Sequence, residues 1–282
     1  GYDKVKFIER YNSLPIKERD EIKKEYNIDY AIRPKFDIAD EIARNIGLPG
    51  FIKMEGFFGN AVQMINLSVK ADSPLAGKSL MEIKQNIEAD IIVSTVIRDG
   101  KLYVPDGAFV INADDQLGIV TNREKLEETL EKLGITQKKS KKIAIVGGGI
   151  TSEYLVDMLV EQKKDITIYD NGIVRCRELM EKYPDIKVSY AEGDVTEALE
   201  EENVEKMDAL ISITNSDEAN LVASMFAWSQ NVPSIITRVD KPGHVKLLHK
   251  VNMDITVSPT ELYVLKMLRF IRNYEIGDAK NG

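Results

Sequence analysis

The 282-residue chain has a single cysteine, Cys176, so no disulfide can form within it. A thiol complement this small fits a reducing compartment. Histidine is almost as scarce: His244 and His249 are the whole supply, with no cysteine or acidic cluster beside them at metal-ligand spacing. No metal site is expected. Positive charge is in deficit, with a formal net charge of -8. That argues against a nucleic-acid binder, which needs a basic face against phosphates. No apolar run has the length of a bilayer-crossing helix, and the opening GYDKVKFIER lacks the pattern of a secretory signal. The expectation is a cytoplasmic protein. With 43% hydrophobic and 30% charged residues, the composition is that of a globular protein long enough for two cores.

An internal repeat organises the rest. NIDYAIRP, Asn27 to Pro34, returns as NMDITVSP, Asn252 to Pro259. The second copy closes a segment that opens on a glycine-rich loop, whereas the first copy has no such loop before it. Up to Gly50 the chain reads helix, strand, helix. SLPIKERDEIKKEY offers Ser13 as a cap with Pro15 just inside, and DYAIR is the strand. DIADEIARNIG places Ile38, Ile42 and Ile46 on one helical face, between Asp37 as cap and Gly47 as stop. From Phe51 to Thr136 the rhythm turns β-rich: AVQMINLSV, IIVSTVIRDGKLYV with Asp99-Gly100 as a hairpin turn, and QLGIVT. KSLMEIK and NREKLEETLEKLG read as helices, the latter running from an Asn122 cap to Gly134. TQKKSKK is a linker. From Lys141 strands and helices alternate through KIAIVG, DITIYD, KVSYAEGD, ALISITN, SIITRV and DITVS, as a parallel sheet with right-handed crossovers requires. The closing PTELYVLKMLRFIRNYE, with Leu262, Leu265, Met267, Leu268 and Phe270, is too apolar for a solvated tail.

Chemistry enters at VGGGITSEYL. Gly147, Gly149 and Ser152 occupy the three positions of G-x-G-x-x-G, directly after a strand and opening a helix. The first glycine permits the turn, the second admits a pyrophosphate to the backbone, and the free N–H groups of the helix start bind the anion. Serine in place of the third glycine is small enough to keep helix and strand close. About 20 residues on, Asp170 ends the second strand, where an acid accepts from ribose hydroxyls and repels a 2′-phosphate. NAD or an adenosine nucleotide is therefore favoured over NADP. By the carboxyl-end rule for parallel sheets, Asp194, Thr214, Asn215 and Arg238 face the same crevice. Each has a plainer alternative: a helix cap for Asp194 or Thr214, a surface ion pair for Arg238. The candidate contact set is Gly147, Gly148, Gly149, Ile150, Thr151, Ser152, Asp170, Asn171, Asp194, Val195, Thr214, Asn215 and Arg238, with no catalytic residue.

Other patterns carry no site. SPLAGKSL ends like a P-loop but has Asp72 where the first glycine is required. Tyr183 and Lys187 have dehydrogenase spacing but enclose Pro184, which keeps them off a common helix. Cys176 reads as an inert helical residue, and the acidic run Glu197 to Glu205 as a solvated face.

The strings KKIAIVGGGITSEYLVDML, DITIYDN, EGDVTEALEEENVEKMDALISITNSDEANLVASMFA and DITVSP resemble the nucleotide-binding regulator domain of potassium transport, the RCK or KTN family. VKADSPLAGKSLMEI and DGAFVINADDQLGIVTNREKLEETLEKLG resemble that family's smaller C-terminal module. The order of parts is similar to TrkA-type regulators, which carry two tandem halves. The resemblance implies a C-terminal remnant of a first nucleotide domain (RCK-N) at residues 1–50 and an α+β RCK-C module at 51–136. A second, Rossmann-like RCK-N domain at 137–282 would end in a crossover helix. The first half then stands without its own glycine loop, as a piece of a longer tandem would. The resemblance also implies NAD(H) or ATP/ADP as ligand, a homodimer or tetramer built by exchange of the last helix, and docking on the cytoplasmic face of a membrane potassium channel or transporter subunit. It points to a non-enzymatic gating subunit. The alternative is an NAD-dependent oxidoreductase, for which the sequence offers no substrate domain or proton-transfer residue.

Overall fold

The computed structural model describes residues 19–28, 31–47, 52–57, 62–87, 91–133, 140–250 and 255–278. The first of these carry two helices, α1 (Arg19–Glu25) and α2 (Pro34–Asn45). Helix α2 starts three residues ahead of Asp37, because Pro34 supplies the pre-set φ of a first helical position. Asp37 is therefore not the cap. Its carboxylate reaches back to accept the Arg33 N–H at 3.1 Å. Gly47 follows the helix at φ +80, a left-handed turn that glycine adopts freely. Residues 31–33 of the expected DYAIR strand are not in a strand, while 29–30, Ser13 and Pro15 lie outside the described residues.

An antiparallel sheet follows, built from β1 (Ile52–Phe57), β2 (Val62–Ser68), β3 (Ile92–Arg98), β4 (Lys101–Tyr103) and β5 (Gln116–Asn122) in the order β1-β2-β5-β3-β4. Along β2 the alternate residues Gln63, Ile65 and Leu67 are buried, the period of a half-covered strand. Asp99 and Gly100 both take positive φ, as the twist-matched hairpin turn demands. Asp115 is fully buried and accepts from Arg98 Nε and Nη2, each at 2.7 Å, and from the Asn112 N–H at 2.8 Å. Helices α3 (Leu80–Ile87) and α4 (Leu126–Lys132) accompany this sheet. Asn122, expected as a helix cap, instead ends β5. A 3-10 turn, Arg123–Lys125, intervenes before α4, and Gly134 lies outside the described residues. Strand β1 has no counterpart in the sequence reading.

The second sheet is parallel: β6 (Lys142–Val146), β7 (Asp165–Asp170), β8 (Lys187–Tyr190), β9 (Ala209–Ser212), β10 (Ile235–Arg238) and β11 (Ile255–Val257), in the order β11-β10-β9-β6-β7-β8. Its connecting helices are α5 (Ile150–Glu161), α6 (Ile173–Lys182), α7 (Val195–Glu201), α8 (Asp217–Ser229) and α9 (Pro242–Lys250), and α10 (Pro259–Asp278) leaves the last strand. Residues Ile143 to Val146 and Ala209 to Ser212 are all buried, so these central strands read as unbroken apolar runs covered on both faces. Strand order reverses between β6 and β9, the switch point at which such sheets open a crevice.

Helix α2 does not stand apart from this unit. It packs on α5, with contacts to β11 and α10. Ile38, Ala39, Ile42 and Ile46 share one apolar cluster with Leu155, Val156 and Leu159. Phe36 meets Tyr154 edge to face at 5.5 Å, and Lys266 of α10 pairs with Asp37 at 2.6 Å.

Candidate functional site

A cleft of about 730 Å³ lies at the carboxyl ends of the parallel strands. Such a volume suits a nucleotide-sized ligand. Its floor is the glycine loop between β6 and α5. Gly147 takes φ +102, and a Cβ there would lie 3.1 Å from the Thr214 backbone, so turn and close approach both require glycine. A Cβ on Gly148 would come within 2.7 Å of Leu179 and 3.1 Å of the Asp170 carboxylate. At Gly149 a Cβ would meet nothing within 4 Å, and its backbone has an ordinary extended conformation. The loop is thus pressed against protein at its first two glycines and faces open cleft at the third.

The helix starts around the cleft differ in one respect. Asp194 caps α7 by accepting from the Thr196 N–H at 2.9 Å, which holds its carboxyl below the usual range. Ser216 caps α8 through the Ala219 N–H at 3.2 Å. Like α6, which starts on Gly172, helix α5 begins on Gly149 with no side-chain cap. Its first N–H groups keep their hydrogen-bonding capacity and the positive end of the helix dipole faces the cleft, an arrangement suited to an anion.

Twelve of the thirteen residues expected from sequence line this cleft: Gly147 to Thr151, Asp170, Asn171, Asp194, Val195, Thr214, Asn215 and Arg238. Ser152 does not. It is buried beneath the loop, where its hydroxyl donates to the Gly147 carbonyl and braces the turn. Asp170 has a double attachment: Oδ2 accepts from the Gly148 N–H at 2.6 Å and Oδ1 from the Gly172 N–H at 2.8 Å. Each carboxylate oxygen retains a further lone pair for a ribose hydroxyl. Arg238 spans Thr214 O and Asn215 Oδ1 at 3.3 Å and pairs with Asp240 at 2.9 Å, so its ion-pair and cleft roles coexist.

Several residues here escaped the sequence reading. Fully buried Asn220 on α8 accepts from the Thr214 N–H and hydroxyl at 2.8 Å and donates to Thr214 O and Arg238 O. It thereby fixes the ends of β9 and β10 together. Asp217 accepts from the Asp240 and Lys241 N–H groups and bonds to His244 Nδ1, each at 2.9 Å. Arg175 lines the cleft and donates to Gly148 O at 2.6 Å while pairing with Glu153 and Glu178. Burial pulls its guanidinium down, but the two carboxylates outweigh that and leave it above its ordinary value. Five residues beyond Asp170 at a crossover-helix start was the available signal. Lys35 of α2 also lines the cleft, and nothing local in its sequence announces that. Cys176 is buried, with its thiol pushed up by burial and by Asp170.

Comparison with known proteins agrees with this architecture. Residues 143–259 match the TrkA-N domain and residues 64–134 the TrkA-C domain. Among relatives, the chain is 29% identical over 275 residues to the Trk system potassium uptake protein TrkA homolog 2 of Methanosarcina mazei, covering 95% of this chain and 60% of that protein. It is 28% identical over 250 residues to the Trk system potassium uptake protein TrkA of Halomonas elongata, covering 88% and 54%. The chain thus spans little more than half the length of these relatives. Among solved structures, the GsuK RCK domain shares its fold at a TM-score of 0.59 with 17% identity, over 89% of this chain and 54% of that one. The GsuK channel bound to NAD does so at 0.55 with 20% identity, over 83% and 42%. The chain thus carries both a TrkA-C and a TrkA-N domain, on a fold shared with RCK domains.

Proposed function

We propose that this chain is a nucleotide-responsive, non-enzymatic regulatory part of a membrane potassium transport system, taking NAD(H), ADP or ATP in the cleft above β6 and β9. On this reading residues 1–50 are the end of a first nucleotide unit, 51–136 the small α+β module, and 137–282 the second nucleotide unit. The observation that carries the ligand class is the uncapped start of α5 at the switch point, with Gly149 facing open cleft and Asp170 at the next strand end. Pyrophosphate would lie on the α5 N–H groups and ribose on Asp170, leaving a 2′-phosphate facing a carboxylate. The names of the relatives support the transport system, and the NAD-bound GsuK channel supports the dinucleotide. The protein would act on the cytoplasmic face through a membrane-embedded potassium-conducting subunit, as a dimer or tetramer. Regulation needs only a ligand that binds two arrangements of the assembly with different affinity.

Calorimetry with NAD, NADH, ADP, ATP and NADP tests the site. NADP should bind more weakly than NAD. Gly149→Val should fold normally, since its Cβ meets no protein atom, and should lose binding because the branched side chain fills the phosphate volume. NADP binding tighter than NAD, or unaltered affinity in folded Gly149→Val, would overturn the assignment.

A further inference from the structure

Three cations line the cleft: Arg175, Arg238 and Lys35. Two are already committed. Arg175 pairs with Glu153 and Glu178, and Arg238 with Asp240. Lys35 is exposed and has no hydrogen bond or ion pair among the described residues. It comes from outside the parallel-sheet unit, on the first turn of α2.

Its neighbours fix where it enters. Phe36 packs edge to face on Tyr154, one turn into the helix whose start is the glycine loop. Arg33 stacks over the Phe36 ring at 3.6 Å, and Asp37 is held by Lys266. The first turn of α2 is thus held against α5, the helix that opens on the glycine loop, and on that ground Lys35 is assigned to the phosphate side of the cleft rather than the ribose side at Asp170. A lysine there acts as a mobile point charge with three donors, suited to a free phosphate and less to a diester-like pyrophosphate buried between two nucleosides.

Resting on the nucleotide reading above, we infer that Lys35 is the terminal-phosphate contact of this site, supplied by the segment ahead of the antiparallel sheet. It favours nucleoside di- and triphosphates over NAD. The chain leaves α2 through Ile46 and Gly47 ahead of β1, so a ligand held by Lys35 is gripped both by the nucleotide unit and by the helix that precedes the other sheet. Phosphate charge would then report directly on how firmly α2 is seated on α5.

The test is calorimetry on the whole chain as wild type, Lys35→Met and Lys35→Arg with ADP, ATP and NAD, alongside hydrogen exchange of α2. Lys35→Met should weaken ATP and ADP by roughly 5- to 30-fold and NAD by less than about 3-fold. Lys35→Arg should restore most of the loss. ATP should slow exchange in α2 of the wild type and not of Lys35→Met. Equal affinities in wild type and Lys35→Met, or an equal loss for all three ligands, would overturn the inference and leave the site intact. If the wild type bound none of the three, the nucleotide reading itself would fall.

Discussion

Two helices follow the two copies of the repeat, and they meet different fates. Helix α2 begins at Pro34 and α10 at Pro259, the last residues of NIDYAIRP and NMDITVSP. In that register Ala39 corresponds to Val264 and Ile42 to Met267. Ala39 and Ile42 are 0% exposed beneath α5, whereas Val264 and Met267 are 52% and 51% exposed. Sequence equivalence thus does not decide burial. Helix α2 has the glycine-loop helix to pack on, whereas α10 leaves these positions uncovered among the described residues. We propose that α10 of a second copy of the chain covers this exposed face. This agrees with the expectation from Leu262, Leu265, Met267 and Leu268, of which only Leu262 is buried here. The side chain of Phe270 lies outside the described residues.

The largest effect separates the two helices directly. Ile42→Ala should cost about 2–5 kcal/mol of stability, as truncation of a fully buried side chain does. Met267→Ala should cost no more than about 0.5 kcal/mol in protein diluted until monomeric. Urea unfolding of both variants at low and high concentration measures this, and the Met267→Ala loss should grow with concentration. Equal losses at every dilution would dissolve the comparison.

Assembly sharpens it next. Leu265→Asp with Leu268→Asp should leave the monomer folded and abolish self-association, because association would bury two unpaired charges. Sedimentation of the wild type as a stable monomer at micromolar concentration would remove the need for a second copy. A smaller effect concerns an ion pair that joins the helices. Lys266→Met should cost roughly 1–3 kcal/mol, since Asp37 stays buried with the Arg33 N–H as its remaining partner among the described residues. Thermal melts of Lys266→Met and of Asp37→Ala with Lys266→Met would show whether the loss comes from the orphaned carboxylate, in which case the double variant recovers part of it.

How much of this was legible depends on how local each cause is. The parallel strands announce themselves because coverage on both faces demands apolar runs, as in IAIV and ALI. The Asp99-Gly100 hairpin and the Gly147 turn were legible because their backbone angles restrict which residues fit. The β1 segment IKMEGF alternates apolar and polar residues only over Ile52 to Glu55, and Gly56, a residue depleted in strands, cuts that short run off. The true start of α2 was hidden because Asp37 looks like a cap but reaches backward, with Pro34 opening the helix. Asn220 and Lys35 act across distances of fold, not sequence. One is an amide buried to join two strand ends, the other a lysine carried to the cleft by packing of Phe36 on Tyr154. Only the assembled structure brings such partners together.

The smallest expected effect is one of pH, and it again sets the α10 side against the α2 side. Asp217 ties the N–H groups of Asp240 and Lys241 and the His244 ring to the start of α8, just ahead of the α9, β11 and α10 segment. Burial pushes this carboxyl up, but the Lys241 and Asp240 N–H groups and His244 together outweigh burial and hold it below 3.8. A carboxyl depressed by folding stabilises fully above its unfolded value, and that contribution drains away as pH falls through the lower folded value. Asp217→Asn should therefore cost about 1 kcal/mol near neutral pH, and the difference from wild type should shrink as the pH is taken below 3.8. Hydrogen exchange, corrected for its intrinsic pH dependence, should show acid loosening Ile255–Val257 sooner than Pro34–Asn45, because α2 is held to α5 chiefly by apolar contacts that do not titrate. Acid loosening that reached α2 first, or an Asp217→Asn deficit unchanged by pH, would show that the tie is not what holds the approach to α10 in place.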